Sequence, residues 1–315
     1  MILQPPNGHS RRNFLSLASG FAIGAPAAAT FGVENPYTRA GDGAHLRLGL
    51  AAYSFGRYFK YMKGKEREIA EPGKEIDMLG FIDFCAKHGV DGAELTSYFF
   101  PPDVAKTGLL AQCRHRAHIS GVSVSGTAVG NNFSYPRDAP ERAQQMEYVK
   151  EWIDHAAVMG APHIRVFAGK HPKGVSGEEA EKNAIEALVE AAEYAGKKGI
   201  FLGIENHDSI ATADRLLRIV RAVKSPWVCV NLDTGNFHSD DPYADMAASA
   251  PYSANVQVKV ALKIDGKHQP TDFKRVGDIL KEANYRGFVV LEFEEKDDPF
   301  EAVPKALDQL RAGIA

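Results

Sequence analysis

The chain has 315 residues, 44% of them hydrophobic and 24% charged, with a formal net charge of −3. This is ordinary globular composition, enough for one large α/β domain or two small ones. The slight negative balance, with lysine and arginine spread along the chain, excludes the basic field that would draw nucleic acid.

Residues 1–40 differ from the rest. The segment HSRRNFLSLASGFAIGAPAAAT holds paired Arg11 and Arg12, then Phe14 and Leu15, a mildly apolar Gly/Ala-rich run and Ala27-Ala28-Ala29. A positive n-region, an h-region and a small-residue cleavage zone, in that order, read as an export signal. The order S-R-R-x-F-L resembles a twin-arginine signal. A signal peptide and linker are therefore expected over 1–40, with export to the periplasm. The run is too short and too rich in Gly, Pro and Ser to span a bilayer. No later stretch is long and apolar enough, so no stable membrane insertion is expected. Cys85, Cys113 and Cys229 are odd in number, widely spaced and without CxxC, which predicts buried, inert thiols.

From residue 46 a rhythm begins. LRLGLAAYSF (46–55) is strand-like, and LGFIDFCAKHG (79–89) is an amphipathic helix stopped by Gly89. VDGAEL (90–95) is a short strand, LLAQCRHRAHISG (109–121) a helix, and VSVSGTAV (122–129) a β-branched strand. ERAQQMEYVKEWIDHAAVMG (141–160) is a long helix and HIRVFAG (163–169) a strand. The next helix (176–199) opens with Ser176 and Glu179, a capping-box pattern. IFLGIENH (200–207) is a strand followed by a helix at 212–225, and WVCVNLDTGN (227–236) a strand followed by a short helix at 241–249. NVQVKVAL (255–262) and FVVLEFEE (288–295) are the last strands, followed by helices at 272–287 and 300–313.

Strands and helices thus alternate strictly, which predicts parallel strands joined by crossover helices. Eight such units fit a single-domain (β/α)8 TIM barrel over 46–315. A doubly wound sheet would show a glycine-rich phosphate loop after the first strand, and YSFGRYF is not one.

In such a barrel the chemistry sits at the carboxyl ends of the strands. Strand four carries His163 and Arg165, and strand five ends in Glu205 and His207. Strand six ends in Asp233, Asn236 and His238, strand seven carries Gln257 and Lys259, and strand eight carries Glu292 and Glu294. Side chains repeat with period two, so residues two apart share a face. Glu205, Asp233, Gln257 and Glu292 come from consecutive strands and would set three carboxylates and an amide oxygen around one point. Left alone, such carboxylates repel one another and take up protons. A divalent cation removes the conflict. All-oxygen ligation favours Mn2+ or Mg2+, with Co2+ or Ni2+ also compatible.

Each residue has a structural alternative. Glu205 could pair with Arg165, Asp233 could cap a turn, Gln257 could be a neutral amide inside the barrel, and Lys259 could pair with Glu294, which competes with Glu292 for the site. Tyr53 and Phe55 after strand one, with Phe133, are expected to form an apolar wall. His115, His118 and His155 lie in helices and are expected at the surface.

GIENHD (203–208), NLDTGN (231–236), VQVKV (256–260) and LEFEE (291–295), in this order, resemble the xylose-isomerase-like barrels known as sugar phosphate isomerases/epimerases, a group that includes inosose and 3-dehydroshikimate dehydratases. LGLAAYSF (48–55) and IRVFAG (164–169) fit the same pattern. The resemblance implies metal ligands at Glu205, Asp233, Gln257 and Glu292. Two positions depart from it. Asn236 stands where D-x-x-H would put a histidine, and Gln257 replaces the histidine of many epimerases, as in the dehydratase branch.

The function expected is a metal-dependent isomerase or epimerase acting on a keto-sugar or related polyol through an enediolate. Glu205 or Glu292 would move the proton, with His207 or Lys259 as acid or donor. Arg165, Asn236, His238, Tyr53, Phe55 and Glu294 are candidates for substrate contact. Export favours an unphosphorylated sugar. Expulsion of a β-oxygen from the same enediolate would make a lyase, with a 3-keto-glycoside as substrate, and a non-catalytic sugar-binding protein is a further alternative. The resemblance extends to apurinic endonucleases, but their histidine-rich metal cluster has no counterpart here. The sequence leaves a homo-oligomer open.

Overall fold

The computed structural model describes Arg39, residues 41–264 and residues 266–315. The export-signal reading of residues 1–40 falls, Arg39 apart, outside the described residues.

Eight parallel strands close into a barrel. They are β1 (His45–Ala51), β2 (Gly92–Glu94), β3 (Ser123–Ala128), β4 (His163–Val166), β5 (Phe201–Glu205), β6 (Val228–Asp233), β7 (Ser253–Val258) and β8 (Arg286–Leu291). Each strand pairs with the next in the chain, and β8 closes on β1 with Leu50 beside Leu291. The crossovers are α1 (Met78–Lys87), α2 (Leu109–Ile119), α3 (Pro140–Met159), α4 (Gly177–Lys198), α5 (Ala213–Val223), α6 (Pro242–Ser249) and α7 (Phe273–Glu282). A final helix, α8 (Pro299–Ile314), follows β8. This is the (β/α)8 barrel that the alternation predicts.

Local signals set the helix starts. Asp77, Ser176, Asp272 and Asp298 each accept a backbone N–H from the first turn of the helix they precede, which satisfies a donor that has no partner within the helix. Ser176 does so toward Glu179, as the capping pattern predicts. The three cysteines are free and buried, and burial pushes the Cys113 and Cys229 thiols up to about 12, so they are inert as expected.

Two strand-like runs are shorter than the sequence suggests. The first strand stops at Ala51, and AYSFGRY (52–58) winds into tight 3-10 turns. The run VQVKVAL breaks after Val258, and Ala261–Ile264 instead forms an antiparallel hairpin with Lys267–Pro270. A second small hairpin joins Tyr61–Met62 to Lys65–Glu66.

Strand side chains alternate between two environments. Leu50, Ile164, Val166, Leu202, Ile204, Val230 and Leu232 are buried in the large apolar core. The alternate positions are buried and largely polar, with Glu94, Arg165, Glu205, Asn231, Asp233, Asn255 and Gln257 toward the carboxyl ends. Toward the amino ends of β1 and β8, the Arg47 guanidinium lies 3.8 Å from the centre of the Phe288 ring.

Candidate active site

The polar positions form two connected groups. In one, Gln257 Nε2 donates to Glu94 Oε1 at 2.7 Å, and Asn231 Nδ2 donates to Gln257 Oε1 at 2.7 Å. Asn255 Nδ2 bridges Glu94 Oε2 and Asn231 Oδ1, both at 2.9 Å. Both ends of the Gln257 amide are thereby engaged. Glu94, at the end of β2, holds this network from across the barrel.

The other group centres on Lys259, the first residue beyond β7. Its Nζ lies 2.5 Å from Glu292 Oε2, 2.9 Å from Glu294 Oε2 and 3.3 Å from Asp233 Oδ2. The backbone of Lys259 is held on both sides: its N–H donates to Thr234 Oγ1 at 3.0 Å, and its carbonyl accepts from Thr271 Oγ1 at 2.6 Å. Its side chain runs over Gly235, where an added Cβ would lie 2.5 Å from Lys259 Cγ. The glycine of DTGN is therefore a passage for the lysine.

Beside this group, Arg165 Nε lies 2.8 Å from Glu205 Oε2, and Asn236 Nδ2 donates to Glu205 Oε1 at 2.7 Å. Arg165 Nη1 also donates to the Val129 carbonyl at 2.9 Å. Asn206 is fully buried, and its amide bonds both the N–H and the carbonyl of Asp233, each at 2.8 Å. It locks the end of β5 to the end of β6.

Carboxylates outnumber cations here. Burial pushes the Glu94 carboxyl up to about 7, and Glu292 adds to the rise. Burial likewise raises Glu205, against the pull of Arg165, and raises Asp233, against the pull of Lys259; Glu292 pushes both upward. Burial alone would discharge Lys259, but Asp233, Glu292 and Glu294 together hold its pKa well above the ordinary value. Lys259 is thus a fixed ammonium, and the buried carboxyls share the protons that it cannot replace.

Of the expected site residues, Gln257 belongs to the Glu94 network, and the others divide three ways. Glu205, Asp233, Lys259, Glu292, Glu294, Arg165 and Asn236 are gathered at the carboxyl end. Tyr53, half-buried, lines a cavity of about 530 Å3 with Arg67 and Glu294; burial raises the pKa of its hydroxyl, and Glu294 and Glu292 add to the rise against the pull of Lys259. His207 sits at the rim, its ring 4.7 Å from Phe167 and its Nδ1 3.1 Å from Asp208 Oδ2. Phe55 and His238 are not brought to the cluster. The 3-10 turns after β1 swing Phe55 outward, where it is fully buried against Phe81, Phe84 and Phe300. His238 is exposed and lines a separate cavity with Lys263 and Gly266. His155 departs from its expected surface place and is buried beside Trp152.

The four residues read as a shared metal-ligand set are engaged by three different sets of partners. Glu205 faces Arg165, Gln257 faces Asn231 and Glu94, and Asp233 and Glu292 meet on Lys259. Among the described residues, no group of three or more His, Cys, Asp or Glu is placed to hold a metal ion. In this arrangement the donor set does not fit a divalent cation, because the Lys259 ammonium lies between Asp233 and Glu292 while Glu205 and Gln257 face other partners.

Sequence reasoning missed Glu94, Asn206, Asn231 and Asn255. Glu94, next to last in VDGAEL, closes β2 as Glu205 closes β5, and a carboxylate at the end of a strand-like run was the available signal. The amides gave none, since nothing in one sequence distinguishes a network asparagine from a turn asparagine.

A family profile described as a xylose isomerase-like TIM barrel matches residues 82–313. No curated protein matches the chain. Among solved structures, an apo 3-keto-D-glucoside 4-epimerase from E. coli is 16% identical with a TM-score of 0.64, covering 85% of this chain and 99% of that one. A D-psicose 3-epimerase from Clostridium cellulolyticum H10, with D-tagatose, is 17% identical with a TM-score of 0.64, covering 85% and 96%. A xylose isomerase-like TIM barrel protein from Mycobacterium smegmatis, in complex with magnesium, is 18% identical with a TM-score of 0.63, covering 85% and 98%. At these identities the likeness is one of fold.

Proposed function

The chain belongs to the xylose isomerase-like TIM barrel family, and from that premise we propose that it is a sugar isomerase or epimerase that moves a proton next to a carbonyl through an enediolate. The observation that carries this is the gathering of Glu205, Asp233, Glu292 and Glu294 around Lys259 and Arg165 at the end of the barrel where such enzymes work. Carboxyls held above their ordinary range by burial are suited to accept a proton near neutral pH. A fixed ammonium beside them is suited to the oxygen that gains charge. Sugar epimerases among the structural neighbours support the same substrate class.

On this reading a keto-sugar enters the cavity beside Tyr53 and Glu294. Glu205 or Glu292 takes the proton from the carbon next to the carbonyl. Lys259 faces the developing enediolate oxygen, and Arg165 holds Glu205 in place. His207, at the rim, is placed to serve hydroxyl groups further out. Because the donor set as arranged does not fit a divalent ion, no part is assigned to one.

Incubation with keto-hexoses and 3-keto-glycosides in D2O tests this. Deuterium at the α-carbon with the sugar otherwise intact is expected. Loss of a β-substituent would make the enzyme a lyase working through the same intermediate. No exchange and no turnover with any of these substrates would leave a binding protein and end the proposal. We further propose that the substrate is unphosphorylated, since the export segment read in the first forty residues would carry the enzyme away from sugar-phosphate metabolism.

A further inference from the structure

We infer that the Lys259 ammonium is the resident cation of this site, standing where a divalent metal would otherwise be held, so that the reaction runs without a metal. This rests on the reading of the carboxyl-end cluster as the reaction site.

Three carboxylate oxygens surround the ammonium: Glu292 Oε2, hydrogen-bonded at 2.5 Å, and Glu294 Oε2 at 2.9 Å and Asp233 Oδ2 at 3.3 Å as ion-pair contacts, the last without a hydrogen bond, so that an N–H is left for a further acceptor. Asp233 ends β6, and Glu292 and Glu294 follow the end of β8; these two strands flank β7 on either side. The position is built rather than incidental. Thr234 and Thr271 fix the lysine backbone, and Gly235 clears the path of its side chain. The neighbours that a metal would need are committed elsewhere, Glu205 to Arg165 and Asn236, and Gln257 to Glu94 and Asn231. A divalent ion reaching Asp233 and Glu292 would have to expel the ammonium or lie against it, with like charges in contact.

The chemistry balances without a metal or a redox partner. The α C–H bond breaks, its proton passes to a carboxylate, and the electron pair moves through the new C=C bond onto the carbonyl oxygen. The ammonium hydrogen-bonds that oxygen and keeps its own charge. Return of the proton to the other face of the carbon, or to its neighbour, completes the reaction.

The test is metal binding, read separately from activity. Elemental analysis of protein purified without chelator should find well below stoichiometric Mn, Mg, Co, Ni and Zn. Calorimetric titration with MnCl2 should show no saturable site in the wild type. Lys259→Met leaves Asp233, Glu292 and Glu294 without their counter-charge and should gain at least about tenfold in Mn2+ affinity. Lys259→Arg keeps the charge and should reject the ion as the wild type does. Stoichiometric metal in the wild type, or Mn2+ binding as tight there as in Lys259→Met, would overturn the inference. Should Lys259→Met fail to fold, the wild-type metal content and Lys259→Arg still decide. Exchange into D2O that appears only after Mn2+ is added sinks the inference and leaves the proposed reaction standing. Metal rejection with no exchange on any sugar does the reverse.

Discussion

The side chain of Asn206 hydrogen-bonds both backbone groups of Asp233, donating to the carbonyl and accepting from the N–H, each at 2.8 Å. The amide thus acts as one more rung of the sheet beyond the last residue of β5. It fixes the spacing between Glu205, its chain neighbour, and Asp233. Asn206→Ala leaves two buried backbone groups unpaired and should cost about 1–3 kcal/mol for each. Thermal unfolding reads this directly, and D2O exchange should fall further than the stability loss alone explains.

Glu292 exerts its charge on Glu94, Glu205 and Asp233 alike. Glu292→Gln should lower exchange by about 10²–10⁴ while the far-UV spectrum stays that of the wild type. Since burial holds Glu205 above the ordinary carboxylate range, kcat/KM of the wild type should climb with pH along a limb lying above pH 4.5. A rate that is flat across that range would remove Glu205 from the role of base.

Glu94 offers a separate pH readout, in stability. Its pKa rises from 4.5 to about 7 on folding, mainly through burial. The folded chain therefore holds this proton more tightly than the unfolded one. That contribution is fully present below pH 4.5 and is lost as the pH rises toward 7. Glu94→Gln carries no charge, so its stability relative to wild type should improve over the same window, by up to about 3 kcal/mol. Melting temperatures at pH 5 and pH 8 check the sign; an unchanged difference between variant and wild type would contradict it.

Gly203 makes room for His163 inside the barrel. An alanine Cβ there would lie 2.1 Å from His163 Nε2 and 3.0 Å from Asn231 Cβ. Gly203→Ala should destabilise by about 1–3 kcal/mol. Adding His163→Ala should recover part of that loss, because the two positions share one space. Denaturant midpoints of the two single variants and the double variant measure the coupling.

Arg11 and Arg12 precede the described residues, and their expected part is in export. Replacing both with lysine should keep the chain in the cytoplasm. Fractionation of a tagged full-length chain checks this, and unchanged distribution would remove the twin-arginine reading.

Much of the fold was legible because the barrel repeats one simple instruction. Apolar runs such as FLGI and WVCVNL alternate with helices that begin at Ser176 or Asp272 and stop at Gly89 or Gly199. The residues gathered at the carboxyl end were legible for the same reason, since period two and strand position suffice to bring Glu205, Asp233, Lys259 and Glu292 together. Their partners were not. Whether Glu205 faces a metal or Arg165 depends on side-chain reach across the barrel, which no local pattern records. Phe55 was misplaced because YSF looks like the end of a strand, whereas the chain coils there and turns the ring into the helix layer.

Gly235 has no left-handed backbone conformation to explain it; only the lysine passing over it forbids a side chain there. Its identity is thus set by a residue twenty-four positions further on. Across related sequences, the two sites should change together, with larger residues tolerated at 235 only where 259 has become short. An aligned family that mixed bulky residues at 235 with lysine at 259 would need a differently routed side chain in its barrels.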